Sequence, residues 1–390
     1  MNDTTKQERR GVLKDRRKHA FRRMTDQAQA CTECGLCMDS CPTYRITGEA
    51  LFSPIHRLKT AVAVLEGVEI SPLMMESIYN CPKCMQCENV CPSDIKVTEI
   101  VHAAREALVR RDLAPSEKHN ERIEEILEKG NAVSGDPERR LDWLPEEFPE
   151  HESDTLLYLG CLPSYLVKNV ASSTYTVLKK LGVDFMILRD EGCCGIYLHE
   201  SGKRDLAREY FQKNVDRFKA LGIKKIIVPC AGCLKCFKYL YPDLLGEIPL
   251  TVHHAIEIIY DALKEKPDVL RKIERTVTYQ DPCRVARGEG LIEEPREILR
   301  MCGASVHDME KNREEGVCCG AGGGIRSVYP KLSLQIASDL LQTVDTESVV
   351  TACPFCAFNL DFASKRKRLG KDLVYFAEIV QESLLTGAGE

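Results

Sequence analysis

The sequence predicts a multidomain protein of mixed α+β and α/β class, with a helical N-terminal domain followed by two copies of one α/β domain. Three observations predict this. Eight cysteines fall in two evenly spaced runs before residue 112. From residue 155 the chain repeats itself. "TLLYLGC" pairs with "TVTYQDPC", "EGCCG" with "GVCCG", "KKIIVPCAGC" with "ESVVTACPFC" and "VHHAIEII" with "LVYFAEIV", at offsets of 122, 125, 123 and 121 residues. Each copy alternates short β-branched runs with helical segments such as "SGKRDLAREYFQKNVDRFKALG", the pattern of a parallel, Rossmann-like sheet covered by helices.

Five segments follow in order. Residues 1–27 form a basic tail: the first 30 residues hold nine Lys/Arg against four Asp/Glu, which reads as a solvated arm or a docking arm. Residues 28–112 carry the two cysteine runs. Residues 113–154 are acidic, with 13 Asp/Glu against five Lys/Arg. Within them "SEKHNERIEEILEKGN" predicts a capped helix ending at Gly130, and Trp143 a packing anchor for a wrapping segment. Residues 155–275 and 276–390 are the two repeats.

Composition narrows the class. The 390 residues are 44% hydrophobic with a net charge of −5, so a large core is available and the overall charge does not suit a nucleic-acid binder. Twenty cysteines in a chain whose N-terminus lacks an apolar signal segment point to metal rather than disulfides. There is no run of 18 apolar residues. The expectation is a cytoplasmic protein, free or peripheral on the cytoplasmic face of a membrane.

The first runs read Cys31-x2-Cys34-x2-Cys37-x3-Cys41-Pro42 and Cys81-x2-Cys84-x2-Cys87-x3-Cys91-Pro92. Thiolates three residues apart on a tight loop grip three corners of a [4Fe-4S] cubane, and the fourth cysteine of each run serves the other cluster. Cys31, Cys34, Cys37 and Cys91 are therefore assigned to one cubane, and Cys81, Cys84, Cys87 and Cys41 to the second. Zinc would give no reason for the trailing Cys-Pro to occur twice. The runs are separated by 39 residues that include the helical "IHRLKTAVAVLEG". This spacing resembles the α-helical ferredoxin module of succinate dehydrogenase and fumarate reductase iron–sulfur subunits.

Each repeat gathers five more cysteines: Cys161, Cys193, Cys194, Cys230 and Cys233 in the first; Cys283, Cys318, Cys319, Cys353 and Cys356 in the second. Adjacent cysteines could form a vicinal disulfide, pack as small apolar groups or hold iron. The "GAGGG" after Cys319 could cradle a phosphate, but it matches a dinucleotide loop only loosely. The cysteines follow the predicted strands, at the carboxyl ends where parallel sheets bind ligands. Five thiolates exceed what a tetrahedral zinc or a simple cubane takes. The glycines read as backbone thin enough for a bulky group to approach. Cys302 reads as a small core hydrophobe. Cys236, opposite Asn359 in the other repeat, reads as a buried neighbour of the site and not a ligand.

The two "CCG" motifs, with "DPCRVARGEG", "CCGAGGGIRS" and "TACPFCAFNL", resemble the cysteine-rich CCG domains of the heterodisulfide reductase family. A helical ferredoxin fused to two such repeats resembles the D-subunit type, itself like a fusion of the C and B subunits of the soluble enzyme. The resemblance spans about residues 28 to 385. It implies that each set of five cysteines holds a noncubane [4Fe-4S] cluster and that the two clusters face each other across a cleft. The coenzyme M–coenzyme B heterodisulfide would lie between them, each cluster giving one electron and each sulfur captured by an iron. It implies no flavin or haem in this chain, and an electron-donating partner of the membrane cytochrome b type or a soluble flavin/iron–sulfur complex.

Basic groups near the ligands are candidates to orient anionic substrates or supply a proton: Arg284, Arg287, Arg326, Lys235 and His199. His254 aligns with Tyr375 and is expected to pack; Glu257 aligns with Glu378 and is expected to make structural hydrogen bonds. Two other readings of this module order are an electron-transfer subunit of a glycolate, lactate or glycerol-3-phosphate oxidase complex, and a disulfide reductase for another sulfur carrier. The completeness of both motifs favours disulfide chemistry.

Overall fold

The computed structural model describes residues 19–385, so most of the basic tail lies outside the described residues. Residues 19–29 are helical. Helices Pro42–Thr47, Pro54–Leu65, Pro72–Tyr79, Gln86–Asn89 and Val97–Arg110 then frame the two cysteine runs. Helix Pro54–Leu65 starts where Ser53 accepts a hydrogen bond from the His56 amide and Pro54 supplies a fixed first residue. It packs Leu58, Ala61 and Val64 against Ile100, Val101 and Ala104 of the last helix.

The helix predicted to end at Gly130 runs Glu117–Lys129, with Gly130 in the left-handed conformation as its C-terminal cap. Ser116 stands at its start but its side chain makes no capping bond. The acidic segment after it wraps the α/β region. Trp143 is 4% exposed and meets Tyr175 edge-on at 5.7 Å. Arg140 reaches the buried Glu191 at 2.7 Å and Ser164 at 2.6 Å.

Among the described residues, seven strands form two wholly parallel sheets. In the first, β1 (Thr155–Leu157), β2 (Lys225–Val228) and β3 (Thr251–His254) lie in the order β1-β2-β3, with Lys225 beside both Thr155 and Thr251. In the second, β4 (Thr276–Gln280), β5 (Ser305–Asp308), β6 (Ser348–Thr351) and β7 (Asp372–Tyr375) lie in the order β5-β4-β6-β7. Where the second sheet has β5, the first has only a bridge from Leu156 to Met186.

The two units share one hydrophobic core. Leu157 and Ile227 of the first belong to the same buried cluster as Val277, Val349 and Val350 of the second. The Tyr375 hydroxyl donates to the Pro229 carbonyl at 2.9 Å, and the Asn169 amide to Glu378 at 2.9 Å. Matched capping boxes hold the aligned residues. His254 Nδ1 accepts from the Ile256 amide while Glu257 accepts from the His254 amide, and Glu378 accepts from the Tyr375 amide. His254 therefore caps a helix as well as packing.

Candidate functional site

Every cysteine of the chain is a free thiol, so the adjacent pairs are not vicinal disulfides. Strand ends place the repeat cysteines. Cys161 opens helix Cys161–Tyr165 after β1, and Cys283 opens helix Cys283–Glu289 after β4. Cys230 and Cys353 are the residues before helices Ala231–Lys235 and Pro354–Lys367, each two residues beyond its strand. Cys193 and Cys318 each take the amide of the glycine two residues on, Gly195 at 3.3 Å and Gly320 at 3.4 Å. Both glycines have positive φ, which bends each pair back toward its sheet.

All ten cysteines line one cavity of ≈ 300 Å³. Their thiols interact in sequence, Cys161 with Cys193, Cys194, Cys233 and Cys230, then across the repeats with Cys353, Cys356, Cys319, Cys318 and Cys283. The Cys230–Cys353 contact joins the two halves. The row continues into the N-terminal module, because the Cys84 and Cys318 thiols lie close enough to shift each other's proton affinity.

The eight N-terminal cysteines fall into two groups. Cys31, Cys34, Cys37 and Cys91 surround one small hollow and Cys41, Cys81 and Cys84 another, with Cys87 at the edge of both. The fourth cysteine of each run thus stands with the other run's triad. The first group is nearer solvent, with Cys34 exposed, whereas Cys41, Cys81 and Cys84 are buried.

The residues fit metal. Hydrogen bonds from neighbouring thiols, and then burial, push the Cys161 and Cys356 thiols well above their ordinary range. In the same row, hydrogen bonds from Cys233 and Cys318 hold Cys230 and Cys319 well below it, so neighbouring thiols share protons that a bound cation would replace. Cys84 is lowered too: the hydrogen bond from Cys318 outweighs burial and brings it down to about 6. Positive groups are built in. Arg57 is 1% exposed and donates to Cys41 Sγ at 3.4 Å, to Thr43 at 2.6 Å and to Asn80 at 2.6 Å. Burial works against its charge, and Cys41, Cys81 and Cys87 more than offset that.

Arg105, fully buried, ties three parts of the chain together. It donates to the carbonyls of Ile78, Tyr79 and Cys81 in its own module, Glu200 in the first α/β unit and Gly323 in the second. Lys83, between Cys81 and Cys84, pairs with Glu200 at 3.2 Å. Burial pushes the Glu200 carboxyl up, but Lys83, Lys235, Arg284 and Arg105 hold it well below the usual range. Burial lowers Lys83 to about 8 despite Glu200. None of Arg57, Lys83, Arg105 and Glu200 stood out in the sequence. The available signal was a charge on the apolar face of a helix, as Arg57 and Arg105 are.

The structure divides the basic candidates. Arg284 and Arg326 line the cavity; Arg287, Lys235 and His199 do not. Arg284 is tied to Glu200 at 3.2 Å and Lys235 stands 3.6 Å from the same carboxylate. Arg326 lies on Phe362 at 4.4 Å and Phe358 at 5.3 Å, with Nε unpartnered. Arg287 donates to the carbonyls of Cys84, Glu314 and Gly316, each at 2.8 Å, and lies outside the cavity with Nη2 unpartnered. His199 stacks on His102 with ring centroids 4.0 Å apart.

The glycine run has a sharper reason than the one read from sequence. A Cβ on Gly322 would stand 2.7 Å from the Pro82 carbonyl oxygen, one on Gly323 would collide with the Cys81 carbonyl, and one on Gly324 would meet His119 at 2.8 Å. The run lines the cavity and is also pressed against the second cysteine loop. Cys302 is fully buried in the core, as expected. Cys236 donates to the Cys194 carbonyl at 3.2 Å and interacts with the Cys194 thiol.

Comparisons with known proteins agree with this arrangement. The cysteine-rich domain family matches residues 155–238 and 277–361, and the 4Fe-4S dicluster domain family matches residues 27–95. The chain is 33% identical to the D subunit of the dihydromethanophenazine:CoB–CoM heterodisulfide reductase of Methanosarcina mazei, over 92% of this chain and 94% of the relative. It is 33% identical to the protein of that name from Methanosarcina acetivorans, over 86% and 88%. A more distant relative is the B subunit of the fumarate reductase (CoM/CoB) of Methanothermobacter marburgensis, 28% identical over 89% of this chain and 70% of the relative.

Proposed function

The chain belongs to the family of heterodisulfide reductase D subunits, and we propose that it reduces the coenzyme M–coenzyme B heterodisulfide to two thiols in the sulfur-lined cavity. The observation that carries this reading is the convergence of all ten repeat cysteines on one cavity of ≈ 300 Å³. The same hollow would hold both clusters; what favours a substrate beside them is Arg326 in its wall, with Nε unpartnered, and the likeness to heterodisulfide reductase D subunits. The reaction is RS–SR′ + 2e⁻ + 2H⁺ → RSH + R′SH.

Cys161, Cys193, Cys194, Cys230 and Cys233 would hold one noncubane cluster, and Cys283, Cys318, Cys319, Cys353 and Cys356 the other. Cys31, Cys34, Cys37 and Cys91 would hold the outer cubane, and Cys41, Cys81, Cys84 and Cys87 the inner one. When bound, the clusters supply electrons and Lewis-acidic iron. The two α/β units act as duplicated Rossmann-like halves, each presenting one ligand set to one sulfur of the substrate. Residues 28–112, 155–275 and 276–390 are the corresponding domains, with 113–154 as the wrapping segment.

This chain's own side chains do the rest. Arg326, held on two phenylalanine rings without a carboxylate partner, is placed to bind an anionic end of the substrate. Arg284, paired with Glu200, sets the charge of the wall. Phe355 and Phe358 limit water around the S–S bond. Electrons enter from a donor protein next to the exposed Cys34 and Leu36, pass the inner group and leave at the Cys84–Cys318 contact. Among the described residues, no helix is long and apolar enough to cross a membrane, so a membrane donor would be met by docking.

The test is an anaerobic assay of the reconstituted protein with reduced viologen dye and the mixed disulfide. Disulfide-dependent dye oxidation releasing two thiols is the expected result. Dye oxidation no faster than with disulfide omitted, in protein with its full iron content, would overturn the reading in favour of pure electron transfer.

A further inference from the structure

Among the described residues and away from the cysteines, one group of side chains has ligand chemistry and no assigned role. His102 and Glu106 are four residues apart on helix Val97–Arg110, so they share one face. His199 comes from helix Ile196–Glu200 of the first α/β unit and meets them across the junction. One ligand atom from each lies within 4.8 Å of the others. His199 is 3% exposed and Glu106 6% exposed, while the His102 side chain keeps 12%.

Packing alone leaves this group short of partners. His102 Nδ1 and Nε2 and His199 Nδ1 are buried without hydrogen bonds, although His102 Nε2 lies 3.1 Å from Glu106 Oε1. Each such orphaned buried group is destabilising, because it has given up its water and gained nothing in return. A stacked pair of rings in an apolar junction does not require nitrogen, and phenylalanines would fill the same space without that penalty. The neighbouring cations are already engaged: Lys83 with Glu200 at 3.2 Å, Arg105 with five backbone carbonyls, and Arg204 with Glu106 at 3.3 Å and Asp243 at 3.2 Å.

We infer that His102, Glu106 and His199 form a divalent-metal site of the zinc or ferrous class, distinct from the iron–sulfur ligands, that clamps the N-terminal module to the first α/β unit. Two imidazoles and a carboxylate are the donors of borderline metals, not of calcium or magnesium. Around a tetrahedral ion with bonds of 2.0–2.1 Å, ligand atoms stand about 3.3 Å apart. Closing from 4.8 Å brings the ligand atoms about 1.5 Å nearer, and the stacked rings must tilt apart so that both lone pairs point at the ion. The fourth position falls to water, which the partly exposed His102 edge admits.

The experiment uses the full-length, iron-loaded protein, equilibrated anaerobically with micromolar zinc chloride and desalted. The expected result is a single zinc per chain beyond the iron, with an X-ray absorption edge fitted by nitrogen and oxygen neighbours. In Glu106→Gln, which keeps the shape of the side chain, zinc affinity falls at least ten-fold while iron and sulfide contents are unchanged. His102→Ala does the same and lowers the melting temperature of the zinc-loaded form to that of the zinc-free protein. Zinc bound through sulfur, no zinc bound, or wild-type zinc affinity in Glu106→Gln would each overturn the site.

Discussion

The two α/β units carry the same five-cysteine set on the same strand ends, yet their surroundings differ. The second lies against the dicluster module: Cys318 interacts with Cys84, and Gly322 to Gly324 press on the Cys81–Pro82 loop. Among the described residues, the first meets that module without a cysteine contact: Lys83 pairs with Glu200, Arg105 donates to the Glu200 carbonyl, Tyr79 donates to the Ser201 carbonyl, Arg204 pairs with Glu106 and His199 stacks on His102. Identical cysteine sets therefore need not be equivalent in electron flow. Under the proposed function, the second unit receives electrons and the first is reached through Cys353–Cys230.

The largest effects should come from the ligands themselves. Cys318→Ala and Cys193→Ala should each cut disulfide reduction by about a thousand-fold or more, since each removes one of two centres acting as a unit. They should differ in single-turnover spectra: Cys193→Ala still passes dye electrons into the second unit, and Cys318→Ala does not. Near-normal turnover in Cys193→Ala would break the two-centre reading. Next comes Arg105→Leu, which leaves five buried carbonyls without their donor and should cost about 3–5 kcal/mol in chemical denaturation.

Glu200→Gln strips the buried Lys83 and Arg284 of their carboxylate and should cost about 3 kcal/mol, loosening the first unit from the module. Hydrogen exchange should rise around residues 196–200 and stay unchanged around 320–324; equal rises would erase the distinction between the two attachments. The smallest effects belong to the position where the repeats diverge. Asn359 donates to the Cys319 carbonyl at 2.6 Å, and Cys236 donates to the Cys194 carbonyl at 3.2 Å. Asn359→Leu should cost about 1–3 kcal/mol, and Cys236→Ala under about 1 kcal/mol, because a thiol is the weaker donor. Iron content should survive in Cys236→Ala; loss of iron would make Cys236 a ligand.

Much of this was legible in the sequence because it is periodic. Three-residue spacing groups thiols on one loop, and a constant offset of about 122 residues exposes the repeat without knowledge of its fold. The helix ending at Gly130 was readable from its glycine cap. The cross-links were not. Lys83 and Glu200 stand 117 residues apart and meet only because the units fold onto each other. Arg105 sits in "IVHAAREALV", where a long polar side chain also suits a solvated face. The glycines after Cys319 suggested room for a bulky group, but the chain they clear first is the module's own backbone.

The row of thiols also constrains how the protein is made. Without iron, Cys161 through Cys283 is a row of interacting thiols, open to oxidation into disulfides between neighbours. Joining Cys230 to Cys353 would rivet the halves together with the metal positions closed by sulfur. The newly made chain must meet its iron before it meets air. Damage to an unloaded chain is then a covalent lock on a folded molecule, which thiols can reopen and refolding cannot.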